Sequence, residues 1–331
     1  MSNISPTDDT YRRLGPRILD SQAVGLRIDL YLGRSFPFLT RSAWQKRVTL
    51  GEVLVNGEPI RGSYRLRVGD ELEFYHPQEA EPEVDRNIRI LWHDGAVMAV
   101  FKPGNLPMHE NGAYRKNTFA TLLSELTDKE GLEGEWAAVH RLDRETSGIV
   151  LCGGTYDVRK RLADDFEGRR IKKEYLCIVS GTPNESQWSN CSPLGDLKTS
   201  QIRIKKWVVP DGLPAETGFI CEAVAPSGYA LLRAFPRTGR TNQIRIHAAH
   251  SGHWILGDKL YHPDEEVFLD YWKTGKTTDF AINSTGHSRC CLHAAVLEFT
   301  HPQTGRLIRI ESPLPEDMQD LWLKLIDLDG S

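Results

Sequence analysis

A short run rich in proline and glutamate divides this chain into two parts of unequal size. The run from Pro77 to Glu83 has no apolar periodicity, which is typical of an extended linker. A chain of 331 residues is also long for one ordinary domain, so a large core with a small module is expected. The sequence therefore predicts an N-terminal extension (1–23), a small domain (24–77), a linker (78–87) and a large domain (88–331).

Composition limits the classes of protein to which the chain can belong. No apolar run approaches the ~20 residues that a membrane span needs, and residues 1–10 are polar and acidic, unlike a secretory signal. The six cysteines are neither dense enough for a disulfide scaffold nor arranged as two Cys-x-x-Cys pairs, so we expect reduced thiols. These features predict a soluble cytoplasmic protein with no membrane partner.

The distribution of charge is more informative than its total. A net charge of -4 argues weakly against a nucleic-acid partner, since phosphate contacts need clustered Lys and Arg. Yet seven basic residues stand between positions 34 and 67 against two acidic ones, Glu52 and Glu58. The seven are Arg34, Arg41, Lys46, Arg47, Arg61, Arg65 and Arg67. The small domain is thus a basic module on an acidic protein.

Helical spacing comes first in this module, and a hairpin follows. Residues 27–32 have helical periodicity, and Thr40 can cap a second helix that runs through Val48. The pair Asn56-Gly57 after alternating apolar residues is a strong hairpin signal, and Leu72–Tyr75 has the composition of a strand. The pattern predicts two short helices followed by a small sheet.

The second helix carries candidate RNA contacts. Arg41 and Gln45 lie one turn apart on one face, and Lys46 can reach the same phosphate groove. The alternative is a merely solvated helix face. The stretch from Leu26 to Tyr75 resembles the S4-type RNA-binding domain, including Thr40-Arg41-Ser42, Val53-Leu54-Val55-Asn56-Gly57 and Val68-Gly69-Asp70. That resemblance favours RNA binding by Arg41, Gln45 and Lys46.

The large domain contains β-rich runs that helices interrupt irregularly. Strands are expected at 88–92, 97–101, 148–152, 174–179, 219–225 and 231–235. Helices are expected at 119–126, 157–166 with Asp157 as cap, 241–249 and 315–326. Because strict alternation of strands and helices is missing, we predict a mixed sheet of the α+β class rather than a doubly wound fold.

The densest chemical signal is the run from His140 to Gly148, which places Asp143 close to Arg141 and Arg144 just before a strand. Neighbouring guanidinium groups favour an ionised carboxylate, and nucleophilic attack requires an ionised aspartate. Asp143 is therefore a candidate nucleophile. An ion-pair network that pins a loop is an equally good interpretation of the same residues.

A second cluster, from Arg237 to His247, feeds a glycine turn into a helix and is typical of an anion site. The anion is either a substrate phosphate or Asp143 of the same chain. His247, His250 and His253 recur every three residues, but Gly252 is expected to end the helix before the third. We interpret these histidines as structural and predict no metal site.

Together these residues resemble the RluA family of pseudouridine synthases, with His140 to Gly148 close to that family's signature. The resemblance extends over the large domain through Lys102-Pro103, Lys173-Glu174-Tyr175, Arg237 to His247, Gly257-Asp258-Lys259-Leu260-Tyr261, Leu292-His293-Ala294 and His301-Pro302-Gln303-Thr304-Gly305. It implies a mostly antiparallel mixed sheet. The sequence departs from the family pattern at Asn105 and at His262. It also departs at Asn242, a position where the family usually has His.

The resemblance implies roles for five residues. Asp143 is the nucleophile, Arg245 pairs with it, and Tyr175 packs against the target base and serves acid-base chemistry. Leu292 lines the base pocket, and Arg141 holds RNA whose target uridine has left its stack. The implied reaction moves the ribose bond from a ring nitrogen of uracil to carbon 5 and needs no metal or other cofactor. Whether Asp143 attacks the ribose or the base stays open.

Two other functions compete with this interpretation. One is a non-catalytic RNA-binding or ribosome-assembly factor on the same scaffold. The other is a nucleoside or glycoside hydrolase, but such enzymes usually pair two carboxylates, and here Glu145 is the nearest candidate and is expected to be structural. We expect a monomer that acts on structured RNA, with ribosomal RNA as the first candidate and transfer RNA as the second.

Overall fold

The computed structural model describes residues 11–21, 23–36, 39–77 and 81–327. The chain divides into two compact units, Met1–Ala80 and Glu81–Ser331. The boundary between them falls inside the Pro- and Glu-rich run. Each unit has its own buried core of apolar side chains.

The first unit combines two helices with one small antiparallel sheet. Its elements are β1 (Tyr11–Ile18), α1 (Ile28–Ser35), α2 (Arg41–Leu50), β2 (Val53–Val55), β3 (Glu58–Pro59) and β4 (Glu71–Pro77). The strand order is β1-β4-β2-β3. Trp44 of α2 is fully buried and packs edge-to-face on Phe74 of β4, with 5.0 Å between ring centroids.

Local sequence accounts for most of this unit. The Thr40 hydroxyl oxygen accepts a hydrogen bond from the Ala43 N–H at 3.3 Å, which confirms Thr40 as the cap of α2. The helix ends at Leu50, two residues beyond the predicted Val48, and Gly51 caps it with a φ of 78°. Asn56 and Gly57 both have positive φ between the paired strands β2 and β3, so the predicted hairpin is confirmed.

The segment predicted as an extension, 1–23, contributes a strand to this sheet. β1 pairs with β4, with Leu14 opposite Phe74 and Arg17 opposite Leu72. Its sequence gives no strand signal because arginines, a glycine and a proline interrupt any apolar alternation. Backbone pairing along the edge of β4 forms it instead, so the small sheet begins before the predicted residue 24.

The second unit is built on a ten-stranded sheet with a separate two-stranded sheet. Its strands are β5 (Arg89–His93), β6 (Val97–Lys102), β7 (Ala137–Ala138), β8 (Ser147–Gly153), β9 (Lys172–Ser180), β10 (Gln187–Asn190), β11 (Leu194–Asp196), β12 (Lys206–Val208), β13 (Thr217–Val224), β14 (Tyr229–Pro236), β15 (Leu292–Thr300) and β16 (Leu307–Glu311). All six predicted strands of this unit are present, with ends shifted by at most two residues.

The large sheet has the order β10-β13-β14-β9-β15-β8-β6-β5, with β16 on β15 and β7 on β8. Every pairing in the described sheet is antiparallel except that between β15 and β8. The predicted α+β class with a mixed, mostly antiparallel sheet is therefore confirmed. The parallel pair brings the start of β15 beside the start of β8, where the His140 to Gly148 run ends.

The described part of the second unit also contains six helices. They are α3 (Phe119–Lys129), α4 (Tyr156–Glu167), α5 (Gln243–His250), α6 (Glu266–Thr274), α7 (Asp279–Thr285) and α8 (Glu316–Ile326). The cap of α4 is Thr155, whose hydroxyl accepts from the Val158 N–H, and not the predicted Asp157. The sequence did not predict α6 and α7. No helix in the described residues is long and apolar enough to cross a membrane.

The second half of the predicted linker, 78–87, is fixed to the second unit. The Glu81 carboxylate accepts hydrogen bonds from the backbone N–H groups of Lys116 and Asn117 at 2.9 and 2.8 Å. Arg86 forms an ion pair with Glu125 at 2.7 Å. Residues 81–87 therefore belong to the larger unit. The polar side chains of this segment are typical of a linker. In the structure, the same side chains form the hydrogen bonds and the ion pair that attach the segment to the second unit.

Candidate active site

Asp143 stands in a loop between β7 and β8, at the wall of a cavity of about 430 Å³. Its carbonyl oxygen accepts the Thr146 N–H at 3.1 Å, which closes a turn just before β8. The Asp143 side chain is 31% exposed. The turn thus presents a carboxylate that a ligand in the cavity can reach.

The side chain of Lys102 is hydrogen-bonded to the backbone of this turn. The residue is completely buried at the end of β6, and its ammonium donates to the carbonyl oxygens of Pro103, Arg144 and Thr146 at 2.9, 3.1 and 2.8 Å. Burial is the main cause that lowers the pKa of Lys102, and the nearby Arg289 charge adds to it. Three carbonyls match the three donors of an ammonium group. Lys102 therefore fixes the backbone that follows Asp143.

Arg245 of α5 is the cationic partner of Asp143. Its Nη1 lies 3.4 Å from the Asp143 Oδ2, while Nε and Nη2 bind both carboxylate oxygens of Asp258 at 2.6 and 2.7 Å. Asp258 is fully buried, and its Oδ1 also accepts the backbone N–H groups of Leu260 and Tyr261. Despite burial, the Arg245 charge keeps the pKa of Asp258 below its ordinary value. Within the Arg237 to His247 cluster, Arg245 therefore has two internal anions as partners, Asp143 and Asp258.

Asn242 and Tyr261 complete the setting of Arg245. The Asn242 Oδ1 accepts from Arg245 Nη1 at 3.0 Å, and its Nδ2 donates to the Tyr261 hydroxyl at 3.1 Å. The Arg245 guanidinium also lies over the Tyr261 ring, 5.0 Å from its centroid. Asn242 precedes α5 with a φ of 57°, a left-handed conformation that Asn tolerates. The departure from the family's usual His therefore lies in direct contact with Arg245.

The two arginines near Asp143 in sequence have different surroundings. Arg144 turns away and donates to the hydroxyls of Tyr114 and Tyr271 at 2.8 and 2.6 Å. Arg141 is exposed at the cavity and makes no side-chain hydrogen bond or ion pair to any described residue. The hydrogen bond to the Asp143 carboxylate comes from Arg245 and not from either of these two arginines.

Glu145 is committed to structure. Both its oxygens lie near Lys259 Nζ, at 3.1 and 3.2 Å, and Oε2 also accepts the Cys290 N–H at 2.9 Å. The charge of Lys259 keeps the pKa of Glu145 below its ordinary value although burial opposes this. Glu145 is not among the residues that line the cavity. It therefore cannot serve as the second carboxylate of a hydrolase at this cavity.

Tyr175 and Leu292 form part of the cavity wall. Tyr175 lies on β9 between Ala234 and Ala294 of the neighbouring strands, and Leu292 is buried at the start of β15. Burial raises the pKa of Tyr175, and the charge of Asp143 raises it further. The structure thus brings Asp143, Tyr175, Arg245, Arg141 and Leu292 to one cavity.

The cavity is strongly basic. Two acidic residues, Asp143 and Glu167, line it together with six arginine and lysine residues: Arg141, Arg169, Lys173, Arg237, Arg240 and Arg245. Arg237 is paired with Glu216 at 2.8 Å, and Arg240 donates to the Pro214 carbonyl at 3.1 Å. Such a lining attracts a polyanion.

The histidines near the site form hydrogen bonds and ring contacts within the fold. The Nε2 of His140 accepts the Leu151 N–H at 2.9 Å, and its ring packs on Phe166 with 4.4 Å between centroids. His247 is buried between Thr217 and the Ser192 carbonyl at 2.9 Å each. Among the described residues, no group of three or more His, Cys, Asp or Glu side chains is placed to hold a metal ion.

The predicted RNA contacts of the first unit have an internal role as well. Arg41 and Gln45 both donate to the Asp29 Oδ2, at 2.8 and 2.8 Å, and Arg27 binds the other oxygen at 3.0 Å. Asp29 is fully buried, and these donors outweigh burial and lower its pKa. Lys46 is exposed and has no partner among the described residues. Arg41 remains half-exposed, so it can still meet a ligand.

Sequence reasoning gave no role to Lys102, Asp258 or Tyr261. All three fell in stretches that carry the family resemblance, Lys102-Pro103 and Gly257 to Tyr261. In the sequence, each of the three is a charged or polar residue near a glycine or a proline that follows an apolar run. That pattern is the signal that could have indicated them. Burial and pairing decide their function, and neither is visible in a single sequence.

Comparisons with known proteins identify the relatives of this chain. Residues 96–250 match the family described as RNA pseudouridylate synthase, and residues 26–72 match the S4 domain. The ribosomal large subunit pseudouridine synthase C of Escherichia coli is 31% identical, covering 93% of this chain and 95% of its own. The corresponding synthase D of Xanthomonas campestris is 28% identical, covering 97% and 94%.

Solved structures show the same fold. Human RNA pseudouridylate synthase domain containing 4 superposes with a TM-score of 0.54 at 21% identity, covering 71% of this chain and 92% of the human one. The site and the comparisons lead to one conclusion. The chain belongs to the RluA family of RNA pseudouridine synthases, which are isomerases, and carries an S4 RNA-binding domain at its N-terminal end.

Proposed function

We propose that this synthase isomerises uridines of large-subunit ribosomal RNA, with Asp143 as its nucleophile. The observation that carries the chemistry is the Asp143 carboxylate, which is 31% exposed at a basic cavity and 3.4 Å from Arg245. The choice of RNA is supported by relatives named for the ribosomal large subunit and by the S4 domain. An enzyme with this substrate works where ribosomes are assembled, which supports the cytoplasm as its location.

The reaction conserves every atom of the nucleotide. The bond from the ribose carbon 1′ to uracil nitrogen 1 breaks, the base turns, and a bond forms from carbon 1′ to carbon 5. Nitrogen 1 gains a proton, and carbon 5 loses one. Asp143 supplies the electron pair, to the ribose or to the base, and is released unchanged.

Arg245 and its partners hold the nucleophile ready for this step. Asp258 fixes two nitrogens of the guanidinium group, so Nη1 keeps its position toward Asp143. The carboxylate of Asp143 is the form that attacks. The contact of 3.4 Å is longer than an ordinary charged hydrogen bond, so leaving Arg245 costs Asp143 little.

Tyr175 and Leu292 receive the base. Because burial raises the pKa of Tyr175, its phenol stays protonated near neutral pH. It therefore offers a flat surface and a hydroxyl donor rather than a phenolate base. The buried Leu292 side chain closes the apolar part of the wall. Arg141 is exposed and unpaired among the described residues, which suits a contact with RNA whose uridine has flipped out of its stack.

The competing functions fit the site less well. A binding factor gains nothing from Asp143, Arg245 and Asp258, since a buried charge cluster is costly unless it is used. For a hydrolase of the two-carboxylate kind, the second carboxylate that the sequence offered is Glu145, which is bound to Lys259 and lies outside the cavity lining.

The test uses purified protein and an unmodified transcript of large-subunit ribosomal RNA. Asp143→Asn keeps size and hydrogen bonding but removes the nucleophile, so we expect no pseudouridine and near-normal RNA affinity. Asp128→Asn, at an exposed position of α3, is the matched control and should behave as wild type. Full conversion by Asp143→Asn would contradict the mechanism, and no conversion by wild type would contradict the substrate.

A further inference from the structure

The end of helix α4 has an unusual backbone at Arg169. Arg169 has a φ of 56°, in the left-handed region that favours glycine, although Gly168 stands one position earlier with an ordinary φ of -71°. The chain thus places a strained arginine where glycine would fit without strain. Arg169 is exposed, lines the cavity of Asp143 and forms no side-chain hydrogen bond or ion pair with a described residue.

Lys173 lies on the same wall and also lacks an anion. Its side chain is partly buried at the start of β9, and within the described part of the chain it forms no hydrogen bond or ion pair. Its Nζ lies so close to the Arg237 to Asn242 loop that a Cβ added at Gly239 would be 4.0 Å away. Burial lowers the pKa of Lys173, and the like charge of Arg169 lowers it further.

The neighbouring lysine shows what an ordinary structural role looks like. Lys172 points to the other face of β9, as alternation along a strand requires, and pairs with Glu298 at 2.7 Å. Glu167 lines the same cavity as Lys173 but has no ion pair with it or with Arg169. Two like charges thus line the cavity, and neither forms an ion pair with a residue that the structure describes.

We propose that Arg169 and Lys173 form a phosphate-binding subsite, which takes a backbone phosphodiester of the RNA next to the flipped uridine. The inference rests on the proposed function, since RNA is the ligand that brings a phosphodiester to this cavity. An arginine supplies a planar fork of donors and a lysine a point charge, and both are suited to phosphate oxygens. Bound phosphate would offset the repulsion between the two cations, so this subsite fixes the strand while Asp143 works on the base.

The test measures RNA affinity and stability together, in the Asp143→Asn background so that turnover does not intervene. The probe is the unmodified large-subunit ribosomal RNA transcript. For Lys173→Met and for Arg169→Gly we expect affinity to fall about 10-fold or more. The slope of log affinity against log salt should become shallower by about one. Arg169→Gly should also keep or raise the melting temperature, because it relieves the left-handed strain.

Lys172→Met is the matched control, since it removes a lysine from the same strand but the opposite face, and it should leave RNA affinity unchanged. Unchanged affinity for Lys173→Met and Arg169→Gly would overturn the subsite. A fall in melting temperature for Arg169→Gly with normal affinity would do so as well, because it would make Arg169 structural. Pseudouridine formation by the parent enzyme is measured in parallel, so failure of the proposed function is recognised separately.

Discussion

Arg245 binds Asp258 through two hydrogen bonds of 2.6 and 2.7 Å, which makes this pair the firmest ionic contact at the cavity. The contact between Arg245 and Asp143 is longer, at 3.4 Å. Asp258 is completely buried and accepts two further backbone N–H groups, so it cannot turn away. The arginine is thus anchored on one side and offers its remaining nitrogen to a carboxylate that stays reachable.

Asn242 is expected to position Arg245. Asn242→Gly removes the acceptor for Arg245 Nη1 and the donor to the Tyr261 hydroxyl, while glycine keeps the left-handed backbone without strain. We expect the single-turnover rate to fall about 10- to 100-fold, with RNA affinity little changed. Asn105→Gly, at the same φ of 57° but without a contact to Arg245, is the matched control. An equal loss in both variants would assign the effect to the backbone instead.

We expect Lys102 to keep the turn that carries Asp143 in a single conformation. Lys102→Met keeps the volume but leaves the carbonyls of Pro103 and Thr146 without their donor, while the Arg144 carbonyl still accepts the Leu106 N–H. The cost of about 1–3 kcal/mol for each unsatisfied group is partly offset, since an ammonium no longer has to be buried. We expect a modest loss of stability, a large loss of activity and faster hydrogen exchange at the Thr146 N–H. Unchanged exchange there would show that Lys102 does not hold the turn.

Acid should weaken the second unit through two histidines that flank β8. The pKa of His140 is lowered to about 3 and that of His293 to about 4, in both cases mainly by burial. His140 accepts the Leu151 N–H, and the Nδ1 of His293 is bound to the Ser147 hydroxyl at 2.9 Å. Protonation would remove these acceptors.

The lowered pKa values of these two histidines determine how stability changes with pH. Between pH 6.5 and about 4 the unfolded chain binds these protons and the folded one does not, so stability is complete above pH 6.5 and falls as pH decreases. Each group contributes roughly 1 kcal/mol per pH unit. Urea denaturation from pH 7.5 to pH 5 measures this, and NMR of the His293 ring checks the titration. A free energy of unfolding that does not change over this range would contradict the assignment.

In the first unit, two basic residues are expected to differ in their effects on RNA binding and on stability. Lys46 is exposed and has no partner among the described residues, so Lys46→Ala should weaken RNA binding without changing stability. Arg41→Ala should weaken RNA binding and also destabilise the unit, because Arg41 neutralises the buried Asp29. Thermal unfolding and RNA titration on the same samples distinguish the two. A stability loss for Lys46→Ala equal to that for Arg41→Ala would contradict the distinction.

The sequence predicted elements well wherever a local signal exists. Thr40 caps α2 and Asn56-Gly57 turns a hairpin because side-chain oxygens and left-handed backbones act within a few residues. β1 was missed because its pairing with β4 spans some sixty residues and leaves no periodicity in Tyr11–Ile18. The same limit applies to the site, where Asp143 was visible in its motif but its dependence on Asp258 and Lys102 was not.

The central claim is tested most directly by mapping pseudouridine over the ribosomal RNAs of cells with and without this gene. Carbodiimide labelling followed by primer extension detects each modified position. We predict that one or a few positions of large-subunit ribosomal RNA lose pseudouridine without the gene. Wild type should restore them and Asp143→Asn should not. An unchanged map without the gene, or restoration by Asp143→Asn, would contradict the account.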